Sequence, residues 1–405
     1  MSNFFAHKSV FPIVVAAGGI YTAQSVVGGL TFMGLPAYLR AQNIPLDQIG
    51  AVSLIMLIWV VKFFWSSWIE NLRIGPNGQR FSRLIIVIAE WATVICLLAL
   101  GSFQNISVVL LVLGIIAAIS ATADIACDAF LIEQLSAKKY GIGNIAQVGG
   151  GYLGMIFGGG LFLWICDQWD WQKGCIILAV LIALLSLPMM LTKEPAVINS
   201  TPLQKPSLLK ALTRPNMVLG LFIVIAFEMA GRITQSLIGP FLVDAHIPLS
   251  MVGLINGVGG VVAGISGALA GGAIAQRLGG CKAMRLVAAL QILLLSLIAC
   301  LVLSQVYTVP LIVGIFMLES ALMAAGFVTS YSRLMQLVSK DQPGVDFTLF
   351  QSASALTAAI FGVISGLLAQ YFGYGGSFLL AACLACLTPF ILKKLENHID
   401  KDMQS

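Results

Sequence analysis

Residues 106–131 read ISVVLLVLGIIAAISATADIACDAFL. Two charges, Asp124 and Asp128, interrupt an otherwise apolar and small-residue run, and both lie in its last third. A helix crossing a bilayer needs about 20 mainly apolar residues, whereas a barrel strand needs about half that and alternates between faces. This run is long and continuous with no period of two, so it predicts a membrane helix. A membrane helix also satisfies its own backbone hydrogen bonds, as lipid requires.

Working outward, eleven further runs have the same character. The twelve candidate spans are 11–37, 48–69, 84–101, 106–131, 143–166 and 174–192, then 216–241, 249–275, 286–304, 309–332, 348–371 and 375–392. The first begins at Phe11 and carries no small-residue cleavage pattern, so it reads as a first membrane helix and not a removed signal peptide. Composition agrees. Hydrophobic residues make up 59% of the 405 and charged residues only 10%, against about 25% charged in soluble domains. The 41 glycines suit closely packed membrane helices.

The distribution of positive charge sets a topology. With both termini and the even-numbered connections placed in the cytoplasm, all but four of the 22 lysines and arginines fall on the cytoplasmic side. The exceptions are Arg40 and Lys173 on the opposite side and Lys62 and Arg232 within spans. That asymmetry is the positive-inside pattern. It also accounts for the net charge of +5 without a nucleic-acid partner.

The longest connection, 193–214, is polar and proline-bearing, which marks a cytoplasmic linker between an N-terminal six-helix half (1–192) and a C-terminal half (215–405) with a short cytoplasmic tail. The halves echo each other. RIGPNGQR (73–80) is matched by RLGGCKAMR (277–285), and EQLSAK (133–138) by MQLVSK (335–340), both at an offset of about 200 residues. The fold expected is an all-α membrane protein of twelve transmembrane helices in two pseudo-symmetric halves.

Charged residues at membrane depth cost at least about 2.5 kcal/mol each, so they must face water or one another. Lys62, Glu90, Asp124, Asp128, Glu228, Arg232 and Glu319 are the seven here. Asp124 and Asp128 are four apart and share a helix face. Two carboxylates so placed repel, which suits a proton-coupling site; the bland alternative is a helix-end pairing with a basic residue. Glu228 and Arg232 are also four apart and form an intrahelical pair, or else Arg232 offers its planar fork to an anionic solute while Glu228 sets its rotamer. Lys62 calls for a cavity or a carboxylate partner. Glu90 reads as a partner of a loop arginine such as Arg83. Glu319, mid-span with no local basic residue, joins the substrate-binding candidates. The uncharged candidates are Tyr21, Gln24, Gln147, Asn256 and Gln351.

Gly150, Gly154 and Gly158 recur every four residues in the fifth span and predict a close helix approach. No Walker lysine follows them, so this is not a phosphate loop. The eight cysteines sit mostly in apolar runs without metal spacing; Cys383 and Cys386 have CxxC spacing but no second pair. His7, His246 and His398 lie at loops or termini, and no nucleophile–base set stands out. Neither an enzyme nor a bound metal or cofactor is expected. A sensor would need an output domain, for which the chain has no long soluble segment.

GLPAYLR (34–40), LDQIG (46–50), KFFWSSWIE (62–70), ATADIACDAF (121–130) and GNIAQVGGGYLG (143–154) resemble the AmpG-like branch of the major facilitator superfamily. The likeness is strong over spans 1–6 and loose over spans 7–12. That branch takes in muropeptide permeases, acetyl-CoA transporters and RhtX/FptX-type importers of iron–siderophore complexes. Twelve spans, where muropeptide permeases carry two more, and the GNIAQVGG run make the siderophore importers the most similar group. The resemblance implies functional placement of Lys62, Asp124 and Asp128. It departs at two points: Glu70 stands near the branch's loop aspartate, and Ala123 replaces its usual polar residue.

The expectation is therefore a monomeric, multi-pass protein of a bacterial inner membrane. It imports an anionic or iron-chelating small solute, a ferric siderophore first, driven by a proton gradient, through a cavity lined by spans 1, 4, 7 and 10. Asp124 and Asp128 would carry the proton; Arg232, Glu228, Glu319, Lys62, Tyr21, Gln24, Gln147 and Gln351 would line the solute path. A muropeptide permease is the alternative, with an efflux pump behind it.

Overall fold

The computed structural model describes residues 10–44, 49, 51–75, 78–195, 205–248, 251–252, 255–306 and 308–402. His7, residues 196–204 of the linker and the starts of the second and eighth spans lie outside them, as does the side chain of Asn256.

Among the described residues there are twelve long helical segments. They are α1 Val10–Ala41, α2 (51–73), α3 Ser82–Leu100, α4 Ile106–Gln134, α5 Ala137–Gln168 and α6 Trp171–Leu191, then α7 Pro215–Asp244, α8 (255–278), α9 Gly280–Ser304 and α10 Val309–Leu337. The last helical stretch, Pro343–Asp402, is broken at Gly373, whose φ of 67° is open to glycine and costly for a side chain. It therefore comprises α11 (343–372) and α12 (374–402). The chain is an all-helical, multi-pass membrane protein. The helices overrun the apolar spans, by nearly three turns at the end of α12.

The apolar surface faces outward. On α3, Leu84, Ile88, Trp91, Ile95 and Leu98 form an exposed stripe, while Ile86, Glu90, Thr93 and Leu97 are buried. In water such a stripe would drive aggregation; in a bilayer it meets acyl chains, and the polar residues turn inward.

Two compact units form. The first comprises Met1–Pro206 with Lys340–Val345; the second comprises Ser207–Ser339 with Asp346–Ser405. In the first unit α1 packs along α5 through the glycine stripe. A Cβ on Gly150 would come within 2.9 Å of the Thr22 hydroxyl, and one on Gly158 would overlap the Val26 carbonyl. The π-helical turns Leu30–Gly34 and Ile156–Leu161 face each other at the same contact. In the second unit Phe241 takes Phe316 and Phe378 against its ring, with centroids 5.6 and 6.0 Å away. Gly267 and Gly271 on α8 repeat the close approach against Ala321 and Ala325 of α10.

Candidate functional site

The first unit gathers its polar residues around the end of α4 that carries ATADIACD. Asp124 is 8% exposed and Asp128 fully buried. Lys62 is 2% exposed; the helix turns break at it, between Met56–Val61 and Phe63–Arg73, and its ammonium forms an ion pair with Asp124. With its amide oriented so that the nitrogen faces the carboxylate, Gln24 on α1 donates to Asp124 at 2.9 Å and accepts from the Asp124 N–H at 3.0 Å. One turn on, Asp128 accepts from the Tyr21 hydroxyl at 2.6 Å and the Gln147 amide at 3.0 Å. Thr122, on the same helix, accepts from the Trp65 indole at 3.1 Å. Four of the sequence candidates, Tyr21, Gln24, Lys62 and Gln147, thus converge on the two aspartates, from α1, α2 and α5.

The bland reading, a partnership with a base, describes part of what surrounds the pair: Asp124 is matched by Lys62, whereas Asp128 is held by uncharged donors. Asp124 and Asp128 are held by a lysine, a phenol and two amides, a set that keeps each carboxylate hydrogen-bonded away from bulk water. A buried ion pair of this kind gains little net stability over an apolar pair, while loss of one partner is costly.

The second unit holds a smaller cluster. Arg232 forks onto Glu228, with Nε and Nη2 at 3.1 and 2.8 Å from Oε2. Ser354 on α11 lies 2.7 Å from that oxygen and 3.1 Å from Arg232 Nη2. The guanidinium carbon stands 4.7 Å from the centre of the Phe327 ring, within cation–π range. Arg232 is therefore fixed from three sides, with its side chain 17% exposed. Gln351 is half-buried on α11, one turn before Ser354.

Two embedded carboxylates stand apart. Glu319 is 1% exposed, and both its oxygens lack a hydrogen-bond partner among the described residues. Glu90 is buried on α3, but not with Arg83. The Arg83 N–H donates to Glu194 at 2.8 Å, and its guanidinium reaches the Thr192 carbonyl at 3.1 Å. Arg83 stands in the first turn of α3 and caps the chain end after α6, two turns away from Glu90. The expected pairing is thus corrected.

A third polar group was not singled out in the sequence. Arg73 bonds both Glu70 and Glu133, and Arg80 reaches Glu133 at 3.1 Å. The Gly344 N–H donates to Glu70 at 2.9 Å. RIGPNGQR and EQLSAK, two of the segments echoed in the second half, supply Arg73, Arg80 and Glu133. A tight reversal closes it, with the Phe81 N–H on the Arg73 carbonyl at 2.8 Å. In the second unit Asp346 receives Arg214 and the Ser339 N–H. Among the described residues no cluster of metal-ligating side chains forms.

The model of the Major Facilitator Superfamily matches residues 13–317 and, in a second match, 221–401. The chain belongs to this superfamily. As a Major Facilitator protein it is a secondary transporter, and its relatives include AmpG-like permeases. It is 27% identical over 375 residues to the anhydromuropeptide permease of Escherichia coli K12, a match covering 88% of this chain and 74% of that one. Among solved structures, the Major Facilitator transporter FucP in an outward conformation aligns with a TM-score of 0.72 at 16% identity, over 95% of this chain and 99% of that one. A bacterial homologue of the iron transporter ferroportin aligns at 0.70 and 13%, over 96% and 100%. These two likenesses concern the fold alone.

Proposed function

We propose that this Major Facilitator protein is a proton-coupled importer of a bulky anionic solute, working by alternating access in a bacterial inner membrane with both termini cytoplasmic. The observation that carries the reading is the pair Asp124 and Asp128, one turn apart, buried, each bonded to groups from neighbouring helices. A proton arriving at Asp124 releases Lys62 from its ion pair and changes the hydrogen bonds to α1 and α2. That is a route by which protonation moves helices. Arg232, held by Glu228, Ser354 and Phe327, offers the solute an oriented cation.

For the solute, a ferric siderophore is the first reading, resting on the sequence likeness to siderophore importers. A muropeptide is the second reading, favoured by the E. coli permease's activity and its 27% identity. Uptake of labelled ferric siderophores and of labelled anhydromuropeptides into vesicles, with and without a proton gradient, separates the two. Gradient-driven accumulation of neither contradicts the importer reading.

A further inference from the structure

A recess lies in the first unit, at the far end of α1, α3 and α5 from the Arg73 cluster. It has a volume of about 600 Å³ and opens between the end of α1, the 101–105 connection and the start of α6. That is within the range of small-molecule sites. Its walls carry three primary amides, Gln42, Gln104 and Gln172, and the rings of Tyr38, Trp169 and Trp171.

The rings are set firmly on one side and free on the other. Trp171 is 8% exposed, and its indole N–H donates to the Leu100 carbonyl at 3.2 Å. Phe162 meets it edge-on at 5.4 Å, and Tyr38 lies 4.9 Å from it at a tilt of 34°. Trp169 is 54% exposed, with one edge against Trp164. The amide side chains have no hydrogen-bond partner among the described residues. The charge in the recess is neutralised: Asp170 accepts from the Lys173 N–H at 2.7 Å and from its ammonium at 3.0 Å. Those bonds, the backbone one first, hold its carboxyl below the usual range.

We infer that this recess is a docking site for a neutral, hydroxyl- and amide-bearing sugar ring, with Trp169 stacking on the ring and Gln42, Gln104 and Gln172 reading its polar edge. Several features favour this class over an anion. No unpaired cation lines the recess, whereas free amides donate and accept in equal measure, as hydroxyls and acetamido groups do. An aromatic face covers the apolar side of a ring without a polar partner. On the topology derived from charge distribution, the recess faces away from the cytoplasm, where an incoming solute first meets the protein. The inference stands apart from which solute is transported, since it concerns binding and not translocation.

The test uses the full chain in lipid nanodiscs prepared without sugar detergents, with N,N′-diacetylchitobiose as probe and saturation-transfer NMR and calorimetry as readouts. Saturable binding is expected, weakened about tenfold or more by Trp169→Ala and by Gln104→Ala. Both residues are exposed, so the fold tolerates these changes. Lys393→Ala, at an exposed position of the other unit, should leave chitobiose binding as it was. Absence of saturable binding by the unaltered chain, or binding indifferent to both recess substitutions, overturns the site. Equal binding of a polyethylene glycol of similar size also overturns it, by showing unspecific partition onto interfacial aromatics. A negative result leaves gradient-driven uptake untouched, so failure here and failure of the importer reading are distinguishable.

Discussion

Lys62 of α2 and Asp124 of α4 form an ion pair with both side chains nearly sealed from solvent, and Gln24 of α1 braces the carboxylate from its other side. Three helices of the first unit meet in one set of bonds. Removing Lys62 leaves a buried carboxylate uncompensated. Lys62→Met is expected to cost about 3–5 kcal/mol, seen as a lowered Tm in detergent. Adding Asp124→Asn to Lys62→Met should recover much of that loss. A double variant as unstable as the single one contradicts the pairing.

Tyr21→Phe isolates the hydroxyl that donates to Asp128 at 2.6 Å. The ring volume is kept, so the loss should be confined to the hydrogen bond, about 1–3 kcal/mol of stability. If Asp128 takes part in coupling, uptake falls by more than the change in Tm explains. Unchanged uptake would exclude Tyr21 from the pathway.

The glycine contact between α1 and α5 predicts a sharp positional difference. A methyl at Gly158 would overlap the Val26 carbonyl, while one at Gly160 meets nothing within 4 Å. Gly158→Ala should destabilise by about 1–3 kcal/mol through overpacking. Gly160→Ala should be neutral or mildly stabilising. Thermal unfolding of the two variants side by side checks this.

In the second unit, Arg232→Lys keeps the charge but loses the planar fork that bonds Glu228 through two nitrogens. Uptake should fall at least about tenfold, with the solute KM raised, while the protein still folds. Ser354→Ala, which removes one brace, should give a smaller loss of the same kind. Full uptake by Arg232→Lys contradicts a role for the guanidinium in solute recognition.

What could be read in the chain followed from solvent. Apolar runs such as 106–131 announce themselves because lipid imposes a minimum length, and their polar interruptions mark the inward face. Asp124, Asp128, Lys62, Tyr21, Gln24 and Gln147 were visible as polar residues where none should be; only their grouping awaited the fold. The partnership of Arg73 with Glu133 was out of reach, because it joins two helix ends 60 residues apart. The Glu90–Arg83 pairing failed for a related reason. Spacing along α3 gives the face of a residue, not the chain end that competes for its arginine. The recess beside Trp169 is assembled from several separate stretches, none of which has a motif.

The most direct test of the central claim is uptake of the labelled solute into energised vesicles by the Asp124→Asn variant, against the unaltered protein, as the outside pH is varied. The account predicts that the unaltered protein accumulates solute in step with the inward proton gradient, and that the variant, equally abundant in the membrane, does not. Accumulation by the variant that follows the gradient as before would contradict it.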